Sequence, residues 1–287
     1  MPDRAALAAP ASARRVTVRV STCWAFLVWL TAIVVTPAAA QPDTVFLEEL
    51  TWTELRAAVQ AGKTTVIVPI GGTEQNGPHL ALGKHNVRVR ALTERIARRL
   101  GNALVAPVIA YVPEGGLHPP TAHMRFPGTI TVPEDVLQRT LESAAQSFKL
   151  HGFRNIAFLG DHGSTQAVQQ TAAARLNREW QTGRVRAHAV PEYYRAATEE
   201  FRELLKTRGY RAEDIGLHAG LLDTSLMLAV APSLVRPYAP RDTDRLPGVG
   251  TGADGDPSRA SAELGRLGVD LVVTRTVEAI QTATNHR

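Results

Sequence analysis

Cysteine is nearly absent from this sequence. The 287 residues hold one, Cys23, inside the first forty. A chain cut after residue 40 would have none, which excludes disulfides, a thiolate metal site and a cysteine nucleophile from the mature protein. Aromatic residues are also few, at 6%, and the four tryptophans sit at 24, 29, 52 and 180, outside the histidine-bearing segments described below, so no aromatic clamp is expected. No cluster of Lys and Arg is interleaved with aromatics, and the formal charge is only +5. Arg4, Arg14, Arg15 and Arg19 against Asp3 account for +3 of it, leaving about +2 for the rest, so nucleic acid is excluded as a partner. A membrane-spanning run is missing too: "CWAFLVWLTAIVV" (23–35) is thirteen residues, against the roughly 20 that a bilayer needs.

That apolar stretch has another meaning. A basic segment up to Arg19 precedes it and "TPAAAQP" follows, with Ala38 and Ala40 in a small-x-small pattern. This is the layout of a bacterial export signal with cleavage after Ala40. The expectation is a signal peptide over 1–40 and a single domain over 41–287, periplasmic or secreted, with no stable membrane insertion after cleavage. With 44% hydrophobic and 21% charged residues, the mature chain has the composition of a globular protein.

Helical and strand-like segments alternate. The spacing predicts helices over 47–62, 86–101, 133–152, 164–183, from 192 onward and over 221–232, and a last helix interrupted near Gly265 and Gly268. Apolar runs predict strands at "TTVIVPI" (64–70), "ALVAPVIAYV" (103–112), "NIAFLG" (155–160) and "VRAHAVP" (185–191). Residues 237–257 read as a long surface loop. Such alternation implies one α/β domain with a mainly parallel sheet.

Chemistry-bearing side chains gather in three segments expected to stand at strand ends. "GGTEQNGPHLALGKHN" (71–86) carries Glu74, Asn76, His79 and His85; "GDHGST" (160–165) carries Asp161 and His162; "GLHAGLLDTS" (216–225) carries His218 and Asp223. Ligands bind at the carboxyl ends of strands in open parallel sheets, and imidazole with carboxylate donors suits Zn²⁺ or Mn²⁺. Each residue also has a plainer use. Asp161 is able to cap the helix that starts near Ser164, Glu74 can satisfy its own turn, and His79 beside Pro78 reads as structural.

"PIGGTEQNGPHLALGKHN", "HMRFPGTITV", "HGFRNIAFLGDHGSTQ" and "HAGLLDTSLML" resemble, in order and spacing, the signature segments of the creatininase (creatinine amidohydrolase) family. The resemblance spans about residues 47–232. It implies a three-layer α/β/α sandwich, often assembled as a homo-oligomer, a hexamer. It also implies a two-metal centre of Zn²⁺ or Mn²⁺ that hydrolyses C–N bonds in small, often cyclic, amides. Carried over by position, Glu74 and His162 match metal ligands, and His218 the general acid/base. Asp223 stands where the family has Glu, and His123 matches a pocket or substrate contact. The chain departs from the pattern at Asn76, where a ligating His is usual, and at Lys84–His85, where a bridging Asp is usual. Asp161 replaces Gly, and Ser164 stands where some members place a ligating Glu. A bridging carboxylate offsets the repulsion of two cations, and a histidine beside a lysine does not. The expected centre is therefore one ion held by Glu74, His85 and His162, with Asp161 as a fourth ligand or as an acceptor for an imidazole N–H. Asn76, His123 and Ser164 are expected to meet a small-molecule substrate. His218, oriented by Asp223, is expected to pass a proton from an activated water to the leaving nitrogen. The competing expectation is an inactive exported binding or assembly protein that keeps the fold.

Overall fold

The computed structural model of the chain describes residues 42–285, except 240, 242–243 and 247–248. The expected export segment, 1–40, lies outside the described residues. One sheet holds β1 (Thr65–Ile70), β2 (Ala103–Val105), β3 (Asn155–Gly160) and β4 (Arg186–Ala189), all parallel, in the order β2-β1-β3-β4. The two central strands, β1 and β3, are buried along their whole length, which is why both read as unbroken apolar runs. Their register pairs Thr65 with Asn155 and Ile70 with Gly160. The strands end level, so the loops after them open on one edge of the sheet.

Parallel neighbours need crossovers. Helices α2 (Lys84–Leu100), α3 (Glu134–Leu150) and α4 (Gln166–Glu179) supply them, while α1 (Trp52–Gln60) precedes β1 and α5 (Pro191–Arg195), α6 (Phe201–Thr207), α7 (Ala212–Ile215), α8 (Leu221–Val230) and α9 (Ala262–Asn285) follow β4. Strand alternation sends Ile67, Ala157 and Leu159 to one face, against Leu92 of α2, Tyr193 of α5, Phe201 of α6, Leu226 of α8 and Val272 of α9. Val66, Val68 and Phe158 face the other way, against Ala58 of α1, Leu141 of α3 and Ala172 of α4. Two apolar cores on the two faces of one sheet make the expected α/β/α sandwich. Among the described residues, no helix is long and apolar enough to cross a membrane.

Several boundaries differ from the sequence expectation, each for a local reason. The helix expected over 47–62 is split. Leu47–Glu49 is a 3₁₀ turn, and Thr51 then starts α1 with a capping box, its N–H donating to Glu54 Oε2 (2.8 Å) and its Oγ1 accepting from Glu54 N–H (3.3 Å). Strand β2 stops at Val105 instead of reaching 112. Pro107 follows without an N–H to donate, and the chain continues through isolated bridges, Ile70 to Ile109 and Val112 to Thr131. The interruption expected in the last helix is absent, because α9 runs unbroken. Its glycines serve close packing instead: a Cβ at Gly265 would strike the Ser225 carbonyl, and one at Gly268 would meet Phe201 and Leu226. Segment 216–225 follows α7 and not a strand. Finally, α2 begins at Lys84, two residues earlier than expected, which places Lys84, His85 and Arg88 on a helix.

Candidate active site

Glu74 sits in the loop after β1, Glu114 and His123 in the segment after β2, and His162 directly after β3. One donor atom from each of these four residues lies within 4.8 Å of the others. Gly72 makes room for them, since a side chain there would approach Glu114 Oε1 to 2.7 Å.

Glu74 is fully buried and is addressed from two sides. His162 Nε2 and His123 Nε2 each lie 3.1 Å from its Oε2, while His85 Nε2 is 2.7 Å from its Oε1. Burial alone would raise its pKa, but the charge of His85, the hydrogen bonds from His162 and His85 and the nearby Lys84 outweigh burial and hold it far below the usual carboxylate range. Glu114 is the opposite case. It is 3% exposed, and neither of its carboxylate oxygens has a hydrogen-bond partner. His162 Nε2 is 3.3 Å from its Oε2. Burial first, and Glu74 second, push the Glu114 pKa up to about 9.

An orphaned buried carboxyl beside a second carboxylate and two imidazoles lacks a positive charge. A divalent cation fits that lack, and the donor set is one that Zn²⁺ or Mn²⁺ accepts. His162 Nδ1 accepts from the Ser164 main-chain N–H (3.2 Å) and lies 2.7 Å from the Ser164 hydroxyl, so the ring proton is on Nε2, 3.1 Å from Glu74 Oε2, and that is the position a cation would take over. His123 is held differently. Its Nδ1 is 2.9 Å from Gln75 Nε2, and the amide N–H can only donate. The proton of this ring therefore sits on Nε2 and is given to Glu74. Burial lowers the pKa of both His123 and His162.

The structure divides the expected trio of Glu74, His85 and His162. His85 lies on the far side of Glu74, with Nε2 on Glu74 Oε1 and Nδ1 2.6 Å from Asp161 Oδ2. Both ring nitrogens face carboxylate oxygens, and Nδ1 is also 3.3 Å from Arg88 Nη2, so the ring is engaged away from the group formed by Glu74, Glu114, His123 and His162. Asp161 is likewise occupied. It receives Arg88 Nε at 3.0 Å, His85 Nδ1 and the Tyr193 hydroxyl at 2.5 Å. Nor does it cap a helix. Around it Lys84 Nζ reaches Asp223 Oδ2 at 3.0 Å and Arg88 reaches Asp223 Oδ1 at 2.6 Å, so Lys84, Arg88, Asp161 and Asp223 form one buried charge network. For Asp161 and Asp223 burial would raise the pKa, but these cations outweigh it and hold both low.

His218 is not oriented by Asp223, whose oxygens are taken by Lys84, Arg88 and the Ala219 N–H (2.9 Å). Its orienting partner is the main-chain carbonyl of Gln75, 2.9 Å from Nε2. The Gln75 side-chain amide is also 3.2 Å from Nε2, but its two protons go to His123 Nδ1 and the Gly252 carbonyl, so Nε2 carries the proton for the main-chain carbonyl and the Nδ1 lone pair lies 3.7 Å from Glu74 Oε1. Burial, then Lys84, lower the His218 pKa to about 3, so the ring is neutral near pH 7. Asn76 is fully buried and its Nδ2 donates to the carbonyls of Glu74 and Ala81. It does not line the adjoining cavity. That cavity, about 540 Å³, is bounded by Glu114, His123, Thr131, Pro133, His162 and Ser164 among others, and among the described residues no Lys or Arg lines it. His79 is structural in its contacts, with Nε2 2.9 Å from Thr224 Oγ1.

Sequence reasoning missed Glu114, Gln75 and the roles of Lys84 and Arg88. Glu114 follows an apolar run, the same strand-end position that singled out Glu74 and Asp161. Lys84 and Arg88 are spaced i, i+4 in line with the buried Leu92 and Ile96, so the cations sit on the apolar stripe of their helix.

Comparison with known proteins decides the family. The family model for creatininase, creatinine amidohydrolase, matches residues 48–280. The chain belongs to the creatininase family. It is 29% identical over 261 residues to creatinine amidohydrolase of Pseudomonas putida, covering 83% of this chain and 96% of that one. It is also similar to 3-dehydro-scyllo-inosose hydrolase of Thermotoga maritima (26% identity, 71% of this chain, 62% of that one). A third relative is the mycofactocin precursor peptide peptidase of Mycolicibacterium smegmatis (28% identity, 58% of each chain). A crystal structure of creatininase superposes with a TM-score of 0.69 at 27% identity, covering 86% of this chain and all of that one. Other creatininase structures include a Zn-Zn type and a Mn form, with TM-scores of 0.69 and 0.68. The relatives that the chain matches are thus named for different substrates.

Proposed function

We propose that this protein is an amidohydrolase that cleaves the C–N bond of a small, uncharged amide with the help of one divalent cation, Zn²⁺ or Mn²⁺. The observation that carries the reading is Glu114, a buried carboxyl with neither oxygen hydrogen-bonded, facing Glu74 and His162. Glu74, Glu114 and His162 would hold the ion, with His123 steadying Glu74. When bound, the ion supplies Lewis-acid polarisation of an amide carbonyl and eases deprotonation of water.

The protein's own groups do the rest. The cavity beside His162 is of the size that takes small molecules, about 300–1,000 Å³. Its wall offers no cation to a substrate carboxylate, which favours neutral substrates. His218, neutral and with Nδ1 turned inward, accepts the proton of the attacking water and returns it to the departing nitrogen. The Gln75 carbonyl on Nε2 keeps the ring in that tautomer and stabilises the imidazolium that forms in between. Asp223 acts at one remove, by anchoring Lys84 and Arg88. The signal-like first forty residues support action in the periplasm or outside the cell, and the family resemblance supports a homo-oligomer.

The test is metal content of protein purified without chelators, together with a screen of neutral cyclic amides against carboxylated analogues. One ion per chain and turnover of a neutral amide are expected. His218→Ala should keep the ion while kcat falls roughly 10²–10⁴-fold, the span of a lost general acid/base. Undiminished turnover in the metal-free protein would refute the reading.

A further inference from the structure

The charge network on α2 has a role beyond holding the fold. Lys84 Nζ is buried, 3.0 Å from Asp223 Oδ2 and 3.7 Å from Glu74 Oε1. Glu74 Oε1 is in turn 3.7 Å from His218 Nδ1. Two carboxylate oxygens, from Glu74 and Asp223, thus flank the ammonium, and without it they would be buried with one counter-charge fewer. The two oxygens of Glu74 have separate tasks. Oε2 faces His162 and His123, on the side of the orphaned Glu114, and Oε1 faces Lys84 and His85. Arg88 bridges Asp161 and Asp223 behind them at 2.8 and 2.6 Å, so neither aspartate is free to turn towards the site.

We propose that Lys84 is a covalently attached second cation, fixed between Glu74 and Asp223, and that it holds the site to one ion per chain. A fixed ammonium at that place repels a further divalent ion and at the same time neutralises the carboxylates that would bind it. A purely structural lysine would matter to stability and leave the ion count alone. The inference rests on the proposed single-ion reading and deepens it.

The experiment is metal stoichiometry of the full chain by elemental analysis, with calorimetric titration of the apo protein by Zn²⁺ and, separately, Mn²⁺. Wild type is expected to saturate at one ion per chain even in large excess. Lys84→Met, which keeps length and removes the charge, is expected to take a second ion and to bind the first at least about tenfold more tightly, because the repulsion is gone. Zero ions in wild type would overturn the metal reading itself and the inference with it. Two ions in wild type would overturn the inference alone, and that measurement stands even if Lys84→Met fails to fold. Folded Lys84→Met that still saturates at one ion, with unchanged affinity, would overturn it as well.

Discussion

The two sides of Glu74 are built on opposite plans. On the α2 side, each carboxylate is met by a donor from the chain: Asp161 by Arg88, His85 and Tyr193, Asp223 by Arg88, Lys84 and a main-chain N–H. On the loop side, Glu114 is met by none. Both sides are buried, so the difference is not one of solvent. The lesson is that a buried carboxyl stays ionised only with a counter-charge: the protein supplies a permanent one on the first side, and on the second Glu114 keeps its proton until a ligand brings one. The first side is where fold stability should reside, and the second is where binding should.

The sharpest way to break that comparison is to remove the guanidinium. Arg88→Met leaves Asp161 and Asp223 each short of a partner in the interior. Breaking a buried pair on one side costs about 3–5 kcal/mol. Urea denaturation should show a loss of that order, whereas Glu114→Gln, on the unpaired side, should leave the metal-free protein no less stable at neutral pH. Equal losses in both variants would mean that the two sides do not differ in kind. Glu114→Gln should instead weaken Zn²⁺ or Mn²⁺ binding by more than about 100-fold, beyond the 10–100-fold typical of groups that merely support a ligand.

The strands and the first-loop and second-loop donors were legible because each rests on a local pattern. β1 and β3 are continuous apolar runs of the length a buried strand needs, and Glu74 and His162 follow them directly. Glu114 escaped although it stands just past the apolar run 103–112, because its neighbours Pro113, Gly115 and Gly116 read only as turn chemistry. His85 was read as a ligand from its place in a motif. Its position on the first turn of α2, turned to Asp161, depends on where that helix starts, and helix starts are the least local feature of such a pattern. The pairing of His218 with Asp223 looked natural from their separation of five residues. The competition that decided otherwise, from Lys84 and Arg88, comes from more than a hundred residues away and is invisible to spacing.

The contrast can be sharpened by pH. The Glu114 carboxyl is pushed up to about 9 from an ordinary 4.5. A raised carboxyl pKa contributes stability that is full below the unfolded value and is lost as pH rises through the folded one. Between pH 7 and 9 the metal-free protein should therefore lose thermal stability. His123, His162 and His218, all lowered from 6.5, do not titrate in that window. Glu114→Gln should flatten the slope. Binding of Zn²⁺ at pH 7 should release close to one proton from Glu114, read as a dependence of the calorimetric heat on buffer ionisation enthalpy, and the affinity should rise by up to about tenfold per pH unit below 9. No proton release would mean that the ion does not meet Glu114.

The smallest effect expected is at Ser164, and it tests how the loop side is poised. His162 Nδ1 has two neighbours from that residue, the hydroxyl at 2.7 Å and the main-chain N–H at 3.2 Å. The N–H can only donate, and alone it would keep the ring proton on Nε2, where it blocks a metal. The hydroxyl is the acceptor that can take the ring proton on Nδ1 once an ion displaces it from Nε2. Ser164→Ala deletes the acceptor and leaves the donor. Binding should weaken by about tenfold, the lower end of the range for a partner of a ligating histidine, with the fold and the charge network on α2 untouched. A ¹⁵N spectrum of the metal-free variant should show His162 protonated on Nε2 alone. Unchanged affinity would mean that His162 is oriented by its own backbone and that the serine only lines the cavity.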